Sequence, residues 1–591
     1  MTARPLSLCA LSARVFAALA IFATATAAQT VTGFVKTNLN AAVVGATVEV
    51  LNAANNVTAT TTATGAFTVV IAAGIYDIEV TPPTGSTLAA ARKSYFVVVA
   101  GTNNAGTITL FPGVTLTGTV QLSTGQVVSG GDTDVVNALT GEKLFTPNDN
   151  TNALGQFSVV VPAGTYHVQA DPLAGQIYVS ARTATPVVAT AGTVNVGLLV
   201  LQPGVALSAT VRRASNFTGV ADADIDVDDA VTGERIITPT DATGATGAVT
   251  VIVPPNRTYK IAVDPPLGQL LLGRVVQNVV VGATATSMGF VDLAAGVLVT
   301  GTVLGPAGAP LQGVDIDVDT VLGPVRQQVS FDFTFSNGTY QIVLAPGYAY
   351  DITFFAPAGQ QLVAQRLANQ FISVQAALPT VTLPTGVILS GTLTALYSSL
   401  PENEASVFVT NPTSGALVIT KANNSNALGQ YSIIVPTGTF NVRIRTRKGS
   451  LSQEKLITNV SIPANTVLNV GLDQVPIFVY ALSAAPTEVQ TITVGQPIFL
   501  HVALYNPGFF PVSAVIDVTW IDPSGASTSF FPFPPTISFA PTSSLLALFV
   551  ALNPPATPPG MTGFPSKLRI RAYDPATLTE FDRDEVVYIQ L

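Results

Sequence analysis

Aspartates at alternate positions are the residues in this sequence best placed to do chemistry. Asp222, Asp224, Asp226 and Asp228 form one run, Asp315, Asp317 and Asp319 a second, and Asp132 and Asp134 a shorter third. Residues two apart on a strand share a face at roughly 6.6–6.8 Å. Each run is therefore a ladder of carboxylates, with Ile225, Val227, Ile316 and Val318 turned to the opposite face. Three readings compete. A solvated face keeps a sheet soluble and its edges unpaired, and repulsion between rungs costs only ~0.6 kcal/mol at about 7 Å in water. Calcium is the second reading, because hard cations take six to eight oxygens at about 2.3–2.6 Å. A flat strand rarely converges that many, so a loop or a neighbouring domain must add to them. Glycosidase chemistry is the third, and it needs one buried acid of raised pKa beside an ionised partner. Equivalent exposed acids do not separate in that way. The solvated face is the simplest reading, and calcium at Asp222, Asp224, Asp226, Asp228, Asp315, Asp317 and Asp319 is the candidate metal site. No cofactor is required.

Other catalytic chemistry has few residues to work with. The chain has two histidines, His167 and His501, and one cysteine, Cys9. A Ser-His-Asp triad or a histidine metal site has almost nothing to draw on. Cys9 lies in an N-terminal segment where Arg4 and Arg14 precede an apolar run, Val15 to Ala23, and the small residues Ala25-Thr26-Ala27-Ala28. That is the pattern of a signal peptide over residues 1–28, too short to span a membrane. Removing it leaves a secreted chain with no cysteine and no membrane span, so stability must come from core burial. The net charge of −9 becomes about −11 without the two arginines, which disfavours nucleic acid.

The elements that position the aspartates repeat. The segments beginning TGAFTVVI at Thr64, LGQFSVVV at Leu154, TGAVTVIV at Thr246, NGTYQIVL at Asn337 and LGQYSIIV at Leu428 share one pattern. Their glycines, Gly65, Gly155, Gly247, Gly338 and Gly429, are spaced 90, 92, 91 and 91 residues apart. A second motif, TGFV from Thr32, TGTV from Thr117, SATV from Ser208, TGTV from Thr300 and SGTL from Ser390, keeps the same period. A period near 90 is too long for a solenoid unit and suits a small independent domain. Large apolar residues two apart, as in Phe157-Ser-Val159-Val-Val161, mark half-buried strands. The prediction is all-β: five small β-sandwich repeats at 29–112, 113–203, 204–295, 296–385 and 386–475, then a different β-sandwich at 476–591. The links are only a few residues long, which favours a semi-stiff rod.

The order "TGTV … TG.F.V.VPAG.Y.V.A" resembles the carboxypeptidase regulatory-like domain, a transthyretin-like sandwich related to the starch-binding-like and collagen-binding-protein B-type folds. The resemblance covers about residues 30–475. It implies fold more than function, since such modules serve as spacers, adhesins, glycan binders and accessory domains. Collagen-binding-protein B-type relatives can carry a Lys–Asn isopeptide bond promoted by an acid, and Lys36 with Glu79 is the pair to inspect. The repeated aromatics Tyr76, Tyr166, Tyr259, Tyr350 and Phe440 follow a tight turn. They suit a corner that pins the turn more than a glycan platform.

Residues 476–591 hold the only tryptophan, Trp520, and weakly resemble an immunoglobulin-like or macroglobulin-like sandwich. Phe509, Phe510, Phe530, Phe531 and Phe533 stand beside turn residues there, as a docking patch or as a plug for the end of the sandwich. Together these features predict a secreted, non-enzymatic structural or adhesive rod at the cell surface or outside the cell. The alternative is a protein that binds carbohydrate. An extracellular polysaccharide or a surface protein is the partner class.

Overall fold

The computed structural model describes residues 28–590 apart from 323–324, 484–488, 494–495, 509–510, 531–534, 541–543, 557 and 559–564. The expected signal peptide, with Cys9, lies outside these residues except for Ala28.

The first repeat shows how sequence becomes sandwich. Its strands are β1 (Gln29–Thr37), β2 (Thr47–Leu51), β3 (Asn56–Thr60), β4 (Ala66–Ile71), β5 (Gly74–Thr81), β6 (Ala91–Val98) and β7 (Thr102–Leu110). They form two sheets, β4-β1-β7 and β3-β2-β5-β6. Alternation decides the faces: Val31 and Val35 of β1 and Phe67, Val69 and Ile71 of β4 are buried, while their neighbours are half-buried or exposed. β1 runs antiparallel to β4 and parallel to β7. The following four repeats have the same two-sheet arrangement, and each of the five closes around its own apolar core. Residues after Pro476 build a different sandwich. A three-stranded sheet faces a six-stranded one, and Trp520 and Tyr588 are buried in its core. The chain is thus all-β, a tandem array of β-sandwiches.

Two devices recur in every repeat. The motif glycines have φ between 71 and 78°, a region that costs other residues steric strain. A Cβ at any of the five would lie within 2.7 Å of a carbonyl oxygen on the first strand of its repeat. Four residues before each glycine stands a buried hydroxyl: Thr61, Thr151, Thr243, Thr334 and Ser425. Each donates to a backbone carbonyl (of Val43, Val128, Val220, Leu311 and Glu402) at 2.6–2.7 Å and accepts a backbone N–H. A satisfied buried hydroxyl holds a loop to the core without leaving a polar group unpaired. The threonine richness of the chain is therefore partly internal.

The junctions are tight. Gly113, Gly204, Gly296 and Gly386 each donate their N–H to the preceding repeat, to Thr87, Ile177, Leu270 and Gln361 O at 2.7–3.1 Å. At each, an added Cβ would meet a β-branched side chain of its own repeat and an atom of the preceding one. Contacts also skip along the array. Gln312 Nε2 donates to Ser94 O at 2.7 Å, Val97 N–H to Ser336 Oγ at 3.0 Å and Ser336 N–H to Tyr95 O at 3.2 Å. The Tyr95 and Phe333 rings are 4.6 Å apart. Repeat four therefore covers the edge strand β6 of repeat one, so the array coils and does not run straight.

Candidate functional site

The aspartate rows lie on Asp224–Asp229 and Asp315–Thr320, each beside the central strand of its sheet, with Ile225, Val227, Ile316 and Val318 buried. Asp222 lies just before the first strand. Most of the carboxylates have cationic partners, Asp222 and Asp224 being the exceptions in the first row. Arg235 pairs with Asp226 and holds Asp228 Oδ1 at 2.6 Å. Arg326 pairs with Asp317 and holds Asp319 Oδ1 at 3.0 Å. Lys421 of repeat five reaches Asp315 Oδ2 at 2.9 Å. In repeat two, Lys143 holds Asp134 Oδ1 at 2.7 Å. Arg235 and Arg326 occupy the same register of consecutive repeats, on the chain that turns back along the row.

The fold brings further acids to the rows that alternation does not reveal. Asp149, Asp241 and Asp332 each stand six residues before a motif glycine, and Asp171 and Asp264 each stand five after a motif tyrosine. In repeat two, Asp132, Asp134 and Asp171 each offer a ligand atom, and the three atoms lie within 4.8 Å of one another. Burial raises the Asp149 carboxyl, and the charges of Asp132 and Asp134 add to the rise. In repeat three, burial and then Asp241 and Asp264 raise Asp224. In repeat four, burial and then Asp315, Asp317 and Asp264 push Asp332 up to about 6. Repeat one has Ala59 and Thr81 at the added positions, and repeat five Asn423 and Arg445. Carboxylate clusters thus belong to the three middle repeats.

The clusters differ in what holds them. Asp264 accepts Gln328 Nε2 at 3.0 Å and Ser330 Oγ at 2.7 Å, both from the next repeat, and so acts as a clamp between repeats three and four. Asp171, its counterpart in repeat two, is 4% exposed, and its Oδ1 meets no hydrogen-bond partner. It faces a cleft of ≈ 540 Å³ between repeats two and three. Burial is the main reason its carboxyl is pushed up to about 6.

The repeated tyrosines are corners. Tyr166, Tyr259 and Tyr350 are buried. Their hydroxyls donate to Pro162, Pro254 and Ala345 O at 2.9, 2.6 and 2.8 Å, on the turn four or five residues upstream. None of the three offers a ring face to a sugar. Tyr259→Phe is expected to lower the stability of repeat three by about 1 kcal/mol, the net value of one buried hydrogen bond. Hydrogen exchange in the segment 248–264 of the full chain would report it, and unchanged protection there would show that the hydroxyl does not pin the turn.

Lys36 Nζ holds Asn40 Oδ1 at 2.9 Å at the surface, and Glu79 pairs with Arg92 on the other sheet. The candidate lysine and acid of an isopeptide bond are thus engaged with separate partners. His167 Nδ1 lies 3.1 Å from Thr183 O. In the last domain, Phe530 packs half-buried against the core. Phe509, Phe510, Phe531 and Phe533 lie outside the described residues, as does the side chain of His501.

No family model matches the chain, and no curated protein matches it in sequence. Among solved structures, the chain is similar to the Bacillus anthracis TIE protein at 12% identity, over 58% of this chain and 66% of that one, with a TM-score of 0.14. A Streptococcal ancillary pilin is 12% identical over 46% of this chain and 99% of its own, with a TM-score of 0.16. BcpA, the major pilin subunit of Bacillus cereus, is 12% identical over 46% and 99%, with a TM-score of 0.13. Nothing about the function of this chain follows from likenesses at that level.

Proposed function

We propose that the chain is a secreted, non-enzymatic structural or adhesive stalk whose five carboxypeptidase regulatory-like repeats carry the distinct last domain. The observation that supports this reading best is that the repeats are welded to one another. A junction glycine is pinned between neighbours four times, Asp264 clamps repeat three to repeat four, and repeat four caps the edge of repeat one. Arg583 Nη2 lies 3.4 Å from both carboxylate oxygens of Glu454 and carries the packing on from repeat five into the last domain. An array held this way transmits force and fixes spacing, whereas flexible links would not. Among the described residues, no helix is long and apolar enough to cross a membrane.

The coil is testable directly. Residues 29–591 contain no cysteine, so Ser94→Cys with Gln312→Cys introduces the sole thiols. A short bismaleimide is expected to join them within one chain in high yield, across repeats one and four. Failure to join, with both thiols reactive, would mean that the array is open and would remove the main support for a stiff stalk. Saturable retention of the chain on one immobilised polysaccharide would instead favour the carbohydrate-binding alternative.

A further inference from the structure

We propose that repeat two binds one calcium ion through Asp132, Asp134 and Asp171, at the head of the cleft between repeats two and three. Two independent features point to it. First, the three ligand atoms lie within 4.8 Å of one another, so one point lies within about 2.8 Å of all three, and a small inward turn of the exposed Asp132 brings an ion there to the calcium–oxygen range of about 2.3–2.6 Å. Second, Asp171 is 4% exposed and its Oδ1 is buried without a hydrogen-bond partner. A buried carboxylate oxygen with no donor is costly unless something positive meets it.

The protein's own cations do not complete the cluster. Lys143 holds Asp134 Oδ1 at 2.7 Å, but its side chain is 55% exposed and it is a single charge among four acids. The fourth, Asp149, accepts Thr146 Oγ1 at 2.6 Å through Oδ2. Ser180 Oγ is buried beside Asp171 and pulls its carboxyl down a little, yet neither it nor Asp171 Oδ1 makes a hydrogen bond of normal geometry. The counterpart clusters are satisfied differently. In repeat three, Arg235 takes the row and Gln328 and Ser330 take Asp264. In repeat four, Arg326 and Lys421 take the row, and Phe355 stands where Asp171 would be. Among the described residues of these three repeats, a fully buried carboxylate oxygen without a hydrogen bond occurs in repeat two alone. The cleft beside it, lined by Asp132, Asp171, Tyr178, Ser180 and Thr238, gives an ion and its waters a path in. Protein oxygens from three aspartates leave the remaining positions to water, which suits the roughly 10⁻⁴–10⁻³ M affinity of extracellular calcium modules.

The test uses the full chain stripped with chelator, with terbium as the luminescent probe and calcium chloride as competitor. Tyr178 lines the same cleft and would sensitise bound terbium. One terbium per chain, displaced by calcium at roughly millimolar concentration, is the expected result. Asp171→Asn and, separately, Asp132→Asn should each weaken calcium at least about tenfold. Asp132 is exposed, so its variant keeps the test sound if Asp171→Asn misfolds. Absence of binding would overturn the proposal. So would affinity unchanged in the Asp132 variant, or a single site lost on Asp226→Asn and retained on Asp132→Asn.

Discussion

Alanine at Gly247 is expected to destabilise repeat three by about 3 kcal/mol or more, whereas alanine at Gly268 in the same repeat costs only about 1 kcal/mol. Both glycines have positive φ, 78 and 87°, so both substitutions pay the left-handed backbone cost of roughly 1–2 kcal/mol. They differ in surroundings. At Gly268 nothing lies within 4 Å of the added carbon. At Gly247 the carbon would collide with Val211 O and meet the Gly219 and Val220 backbone at 3.0 Å. These atoms cannot give way cheaply. Val211 N–H donates to Gly247 O at 2.8 Å, and Val220 N–H donates to Val211 O at 3.0 Å. Relief of the clash must lengthen one of those bonds, each worth about 1 kcal/mol. Repeats of a tandem array can unfold separately, so the readout is local: hydrogen exchange across 205–213 and 248–253 in the full chain. Equal losses of protection in the two variants would show that the backbone conformation, not the close approach, requires the motif glycine.

The same glycine shows what is legible in the sequence alone. The period, the motif glycine and the following tyrosine are local signals, and the structure gives each one a mechanical role. The aspartate rows were equally legible, since alternation places Asp224, Asp226 and Asp228 on one face. Their partners were not. Arg235 and Arg326 return on the next segment, and a one-strand periodicity argument does not look there. Asp149 and Asp171 join Asp132 and Asp134 from a loop and from the end of another strand. Only the constant offsets from the repeat glycine and tyrosine betray them, and those offsets become meaningful when copies are compared position by position.

Contacts between repeats were the least legible. Tyr95 and Phe333 are far apart in sequence, and no local rule pairs them. A trace existed nonetheless. Repeat four reads Phe331-Asp-Phe333-Thr-Phe335 where repeat three has Thr240, Ala242 and Gly244 and repeat two has Asn148, Asn150 and Asn152. Tyr95 has φ 56°, a conformation that Asn278, Asn369 and Asn459 adopt at the matching bulge of later repeats. A tyrosine there is strained, and its N–H is held by Asp77 Oδ1 at 3.0 Å. The aromatic ring it gains lies against Phe333, which accounts for an aromatic residue at a position that otherwise favours asparagine.

The last domain carries a titration of its own. Asp582 lies at the junction of repeat five with the final sandwich, beside Val479, Lys448 and Glu454. Burial, with Asp584 and Glu454 adding to it, pushes its carboxyl up to about 7, against the pull of the Val479 N–H, which it accepts at 2.7 Å. A carboxyl raised in the folded state binds its proton more tightly there than in the unfolded chain. Its contribution is therefore most favourable below the unfolded value of about 3.9 and is lost as pH rises through about 7. Across that window, the difference between the folded and unfolded values corresponds to roughly 4 kcal/mol as an upper figure. Asp582→Asn removes the titrating group, and its amide oxygen can still accept the Val479 N–H. The variant is expected to be more stable than the parent at pH 8, by up to roughly 4 kcal/mol, and close to it at pH 4. Denaturant unfolding of the full chain, followed through Trp520 in the last domain, measures this at each pH. A variant that loses stability at pH 8 would show that the ionised carboxylate is favoured in the folded state, and that the contact between repeat five and the last domain depends on its charge.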